Sequence, residues 1–210
     1  MAATVPGQDP TRPAETQAPA GWKPADPGPL GLGAFAMTTF VLSMFNSNLV
    51  DAKGIPVVLG LALAYGGIVQ LLAGMWEFRT GNTFGAVAFC SFGAFWISFW
   101  ALNVFYAKEI GGNAGHAIGV YLWAWAIFTA YMTVAALRVS GAVLLVFVLL
   151  TITFVLLAIG ATGPHESVTH WGGYLGLATA AAAWYASFAA VVNSTFGRTV
   201  LPIVPLNRGV

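Results

Sequence analysis

Apolar residues gather along this chain into six long runs, each about 20 residues, the length a helix needs to cross a bilayer core. Asp, Glu, Lys and Arg are absent from the middle of every run and fall in the short segments between them. The runs cover residues 30–50, 55–76, 82–106, 117–137, 141–161 and 171–193. Continuous apolarity over such lengths predicts helices, whereas the strands of a membrane barrel would alternate over about ten residues. The connections DAKGIP, RTGN, KEIGGN, RVSG and TGPHES carry turn residues, and their brevity forces neighbouring helices to run antiparallel. The pattern predicts an all-α integral membrane protein with six transmembrane helices. It divides the chain into a flexible tail over residues 1–29, a six-helix domain over 30–194 and a second tail over 195–210.

Composition agrees with the pattern and narrows the function classes. Hydrophobic residues make up 58% of the chain and charged residues 7%, too few to cover the surface of a soluble domain. The net charge of +1 comes without a basic run, so neither nucleic acid nor a polybasic lipid contact is indicated. A single cysteine, Cys90, lies inside the third run and reads as a packing residue. Orientation follows from the cations, because Lys and Arg are retained on the cytoplasmic side. Six crossings put Arg12, Lys23, Arg79, Arg138, Arg198 and Arg208 on one face and only Lys53 and Lys108 on the other. Both termini are therefore expected in the cytoplasm, with the chain in the cytoplasmic (inner or plasma) membrane.

The candidate chemistry is sparse. No nucleophile elbow, paired catalytic carboxylates, phosphate loop or HExxH motif occurs, which speaks against an enzyme, and no cofactor is implied. His116, His165 and His170 fall in or beside connections without a third ligand at recognisable spacing, so they read as interfacial and no metal site is expected. Glu77 and Arg79 close the second run and read first as interfacial anchors, but Glu77 is also the leading candidate for a proton-coupling carboxylate. Inside the runs, uncharged polar groups such as Thr39, Ser43 and Asn46 recur at helical spacing, as one face of a helix would require. They serve either as hydrogen-bonding glue between helices or as the lining of a narrow pathway for a small solute. Gly81 with Gly85, Gly115 with Gly119, and Gly172 with Gly176 are spaced for close helix packing.

The stretch DPGPLGL at 26–32 resembles the NPAPLGL signature of the acetate uptake transporter family. Further similarity lies in YGGIVQLLAGMWEFRTGNTFG at 65–85, FCSFGAFWIS at 89–98, GVYLWAWAIFTAYM at 119–132 and FGRTVLP at 196–202. The resemblance implies a hexamer of six-helix protomers, each importing acetate, other small monocarboxylates or succinate with protons through its own pathway. It also implies a hydrophobic constriction made by Phe35, Phe92 and Leu150. Solute would be held near Asp26, Pro29, Leu30, Gly31 and Leu32, with Thr39, Asn46, Gln70 and Tyr131. A passive channel for small anions or weak acids, or ammonium or ammonia transport, is the alternative within the same resemblance. This chain departs from the family at Asp26 and Gly28, where Asn and Ala are usual, and at Phe92, where Tyr is usual. The prolines of the signature leave helix-start amides that suit an anion.

Overall fold

The computed structural model describes residues 22, 24–106, 109 and 114–207. Arg12, Lys23, Lys108 and Arg208, used above for orientation, lie outside the described residues, as does nearly all of the expected N-terminal tail. Six helices long and apolar enough to cross a membrane are present: α1 (Gly28–Asn46), α2 (Ala52–Thr80), α3 (Thr83–Tyr106), α4 (Ala114–Ala136), α5 (Gly141–Ala161) and α6 (Glu166–Phe196).

Helix ends follow local chemistry more closely than apolarity. In α1, Pro29 stands in the first turn, where its missing amide costs nothing. The helix stops at Asn46, four residues before the apolar run ends, because Asn48 takes a left-handed conformation (φ 60°) and the amides of Leu49 and Val50 turn back to the Met44 carbonyl. Conversely, α2 continues to Thr80 and is closed by left-handed Gly81 (φ 80°). Gly81 is therefore a helix stop rather than a packing glycine as its spacing suggested. Asn82 caps α3, its Oδ1 accepting from the Gly85 amide at 3.1 Å, and Ser140 caps α5 through the Val143 amide at 3.3 Å. The longest helix, α6, has 31 residues, about 46 Å at 1.5 Å per residue, so it projects beyond a core of about 30 Å.

Two helices contain a wider turn. Residues Ala64–Val69 of α2 and Leu102–Tyr106 of α3 bond with π-helical spacing, which inserts an extra residue into the turn.

The helices pack as a ring: α1 against α6, α6 against α5, α5 against α4, and α2 against α3, with α1 also touching α2. Glycines set the closest approaches. A methyl on Gly74 of α2 would sit 2.6 Å from the Cys90 backbone nitrogen, and one on Gly173 of α6 would meet the backbone of Asn46 and Ser47. Between α3 and α4 the backbones stay further apart, and aromatic side chains fill the seam, with Phe95 against Tyr121 at 5.9 Å and Phe92 against Phe128 at 5.4 Å. Cys90 is half-buried at the α2–α3 contact, its Sγ 3.9 Å from the Leu71 carbonyl, in keeping with a packing role.

The expected C-terminal tail is folded onto the bundle. After Gly197 (φ 63°) closes α6, the segment 200–207 returns along the start of α5, where Ser140 and Pro205 pair in antiparallel fashion.

Candidate functional site

A neck lies at the centre of the ring. Phe35 of α1, Phe92 of α3 and Leu150 of α5 are all buried there, and the two rings stand 5.7 Å apart. Phe92 is the hub of an aromatic cage, with the rings of Trp125, Phe128, Phe147 and Phe154 at 5.4 to 6.4 Å. Such a cage fixes ring positions through many small dispersion contacts and offers nothing to replace the hydration of a charge.

On either side of the neck opens a cavity of about 410 Å3. The proximal vestibule, on the side of both chain ends, is reached by Asp26, Pro29, Leu32, Gln70 and Glu77. The distal vestibule is reached by Thr39, Ser43, Asn46, Trp96, Asn103 and Tyr121. Phe35 and Leu150 line both, so two residues separate the two spaces. Each cavity matches the size of a small-molecule site.

Buried polar atoms almost always find a hydrogen-bond partner in a folded protein. Among the described residues three do not: Thr39 Oγ1, Gln70 Oε1 and the Trp96 indole N–H. All three residues line a vestibule, two distal and one proximal. Unsatisfied groups on both sides of an apolar neck are what water or a passing polar solute would complete.

The proximal vestibule is acidic. Glu77 is 2% exposed, with Oε2 accepting from the Thr80 hydroxyl at 3.1 Å. Its carboxyl fills room left by two glycines: a methyl on Gly85 of α3 would lie 2.7 Å from Glu77 Oε1, and one on Gly28 of α1 would lie 3.5 Å from it. The same Gly28 position is 3.0 Å from Asp26 Oδ1, so two carboxylates flank the start of α1. None of the residues lining this vestibule is basic.

Several expectations change. Glu77 is not an interfacial anchor: because α2 runs on to Thr80, Glu77 is held inside the bundle between α1, α2 and α3. The amides at the start of α1 are not all free for an anion, since Gly28 N–H donates to Asp26 Oδ1 at 2.8 Å and Gly31 N–H to the Pro27 carbonyl at 3.1 Å. Asn46 and Gln70 sit on opposite sides of the neck and cannot form one binding pocket. Tyr131 is 55% exposed, packs edge-on to Phe128 at 5.1 Å and lines neither vestibule. Leu30 is 47% exposed and faces an outer groove, while Gly31 is pressed against the Phe89 ring. Asp26, Pro29, Leu32, Thr39, Asn46 and Gln70 do line the two spaces.

Other lining residues did not stand out in the sequence. Phe92, Phe95, Trp96 and Phe99 follow each other at the spacing of one helical face, and that period was the available signal for an aromatic wall. Tyr121, whose hydroxyl lies 2.6 Å from Ser98 Oγ, had no comparable signal.

The model of the GPR1/FUN34/yaaH family matches residues 9–208 of this chain. Ammonia transport outward protein 2 of Saccharomyces cerevisiae is 44% identical over 178 residues, covering 80% of this chain and 62% of that protein. The chain thus spans under two thirds of the length of the yeast relatives it matches. Succinate-acetate/proton symporter SatP of Escherichia coli K12 is 41% identical over 184 residues, covering 86% of this chain and 96% of that one. Among solved structures, the bacterial acetate channel SatP superposes with a TM-score of 0.80 at 40% identity, over 86% of this chain and 99% of that one.

Proposed function

For a chain that belongs to the GPR1/FUN34/yaaH family, we propose transport of acetate and similar small monocarboxylates, succinate among them, across the cytoplasmic membrane, coupled to protons. One observation carries this reading: two vestibules of about 410 Å3 that approach from opposite faces and meet at Phe35 and Leu150. The likeness to a succinate-acetate/proton symporter and to an acetate channel supplies the solute.

The neck dictates the mechanism. A bare carboxylate in an apolar constriction loses several kcal/mol of hydration, and none of the residues lining the vestibules carries a positive charge to offset it. Crossing as the neutral acid, or with a few retained waters, avoids most of that cost. Thr39, Gln70 and the Trp96 N–H, lacking partners of their own, offer hydrogen bonds just before and just after the neck. Glu77, buried at the proximal vestibule, is the group that would take or give the proton.

Arg79 and Arg138 close helices on the side of the chain ends, and Arg198 follows α6 on that same side, which supports cytoplasmic termini. Large apolar side chains on the outer surface, such as Val120, Ile127 and Val134 along α4, suit lipid or neighbouring copies, and a hexamer is the assembly proposed. A transporter rather than an enzyme is the reading throughout.

Uptake of labelled acetate into proteoliposomes tests it. Uptake above that of empty liposomes, with alkalinisation of the outer medium, is expected. Equal uptake in the two would overturn transport, and uptake without alkalinisation would leave a passive channel.

Ammonium is a second reading, favoured by Asp26 and Glu77 in a vestibule with no basic lining residue. Competition separates them: ammonium should slow labelled methylammonium entry but not acetate uptake if the carboxylates select a cation.

A further inference from the structure

The proximal vestibule has one wall that belongs to no transmembrane helix. Ile203, Pro205 and Asn207 of the returning C-terminal segment line it together with Asp26 and Glu77. This segment, 200–207, is a strap tied at three places. Asn193 near the end of α6 makes the first tie: its Oδ1 accepts from the amides of Val200 at 2.7 Å and Leu201 at 2.9 Å, and its Nδ2 donates to the Leu201 carbonyl at 2.8 Å. The Tyr185 hydroxyl makes the second, donating to the Pro202 carbonyl at 2.7 Å. The third is the start of α5, where the Gly141 amide donates to the Val204 carbonyl at 2.7 Å and the Ala142 amide to the Ile203 carbonyl at 3.3 Å.

Two features mark the strap as held rather than relaxed. Val204 adopts φ 53°, a left-handed conformation that a β-branched residue takes only when its surroundings impose it. Its side chain is also 59% exposed, so packing around Val204 contributes little to holding that turn. The hydrogen bonds from Asn193, Tyr185 and α5 do that instead, and Asn193 alone supplies three of them.

We propose that the strap is a cover on the proximal vestibule, that its opening limits solute release on that side, and that Asn193 is the positioning residue that keeps it closed. Asn193 touches no solute in this scheme and acts only through the strap. The inference rests on the transport reading, which the unaltered chain tests separately by its uptake of labelled acetate. Carbonyls of the strap occupy the first amides of α5, so opening would also bare those donors toward the vestibule while the cover is lifted.

The test uses Asn193→Ala in a Cys90→Ser background carrying Ile203→Cys as a reporter of strap opening. Removing three hydrogen bonds of about 1 kcal/mol each should speed maleimide labelling at position 203 by about tenfold or more. Maximal acetate uptake should rise about threefold with the apparent KM unchanged, as expected when opening of a cover limits turnover. Asn193→Asp, which keeps both acceptor bonds and loses only the donor, should fall between the two. Faster labelling with unchanged uptake would overturn the cover. Unchanged labelling would overturn Asn193 as its latch. If Asn193→Ala fails to fold, Tyr185→Phe removes a single hydroxyl bond at a half-exposed residue and is judged by the same two measurements.

Discussion

Replacing Phe35 with alanine takes away the ring that both vestibules share, and the consequence can be worked from the neck. Phe35 stands 5.7 Å from Phe92 and borders open space toward each face. Losing the ring leaves room for about three waters at ~30 Å3 each. A carboxylate that keeps even one water in transit retains a charge-assisted hydrogen bond of about 1.5–3 kcal/mol. That lowers the crossing barrier by the same amount, or about 10- to 100-fold in rate. Acids too broad for the intact neck should gain most, because for them the ring is a steric barrier as well as a dry one. The assay is the ratio of labelled benzoate uptake to acetate uptake in proteoliposomes, expected to rise at least about tenfold by that arithmetic. Stability should fall by about 3 kcal/mol, the low end for a buried Phe→Ala change, since part of the ring already faces cavity rather than packed atoms. A ratio within twofold of the unaltered chain, in protein that still folds, would refute the assignment of Phe35 to the neck.

Other substitutions separate charge, hydrogen bonding and proton transfer. Asp26→Asn keeps an oxygen for the Gly28 amide and removes only the charge. A carboxylate solute about 6 Å away would be relieved of roughly 1 kcal/mol of repulsion, so the apparent KM for acetate should fall about fivefold and the gain should shrink in high salt; an unchanged KM would remove Asp26 from the solute's path. Thr39→Val deletes a hydroxyl that has no protein partner. Thermal stability should hold or rise while acetate affinity drops by about 1 kcal/mol, and a loss of stability without loss of affinity would make Thr39 a structural residue. Glu77→Gln should leave acetate exchange at equal pH intact but abolish the response of uptake to an imposed pH gradient; a preserved response would place proton coupling elsewhere.

The six spans were legible because hydrophobic length is itself the physical requirement for crossing a bilayer, and the fifth was matched to the residue. Their ends were less so. Apolarity ends α2 at residue 76, whereas the backbone continues until left-handed Gly81 can close it. That difference of one turn is what hid Glu77, since a charge just past an apolar run looks solvated until the glycines facing it are seen in space. Phe35, Phe92 and Leu150 meet as the family resemblance implied, but the division of Asn46 and Gln70 between two vestibules depends on where each lies along its helix relative to the neck. The strap was illegible for another reason. Its ties are backbone carbonyls and one asparagine, and such bonds leave no periodic mark in the residues that make them.

The wide turn at Ala64–Val69 has a genetic corollary. It adds one residue to α2 upstream of both Gln70 and Glu77. Deleting a single codon there would restore regular winding and rotate everything that follows by about 100°. Gln70 and Glu77 would then swing off the vestibule wall together, although neither had been altered. The polar chemistry of the proximal side is thus carried on a phase offset, and its inheritance is tied to the reading length of one helical turn as much as to the identity of the residues beyond it.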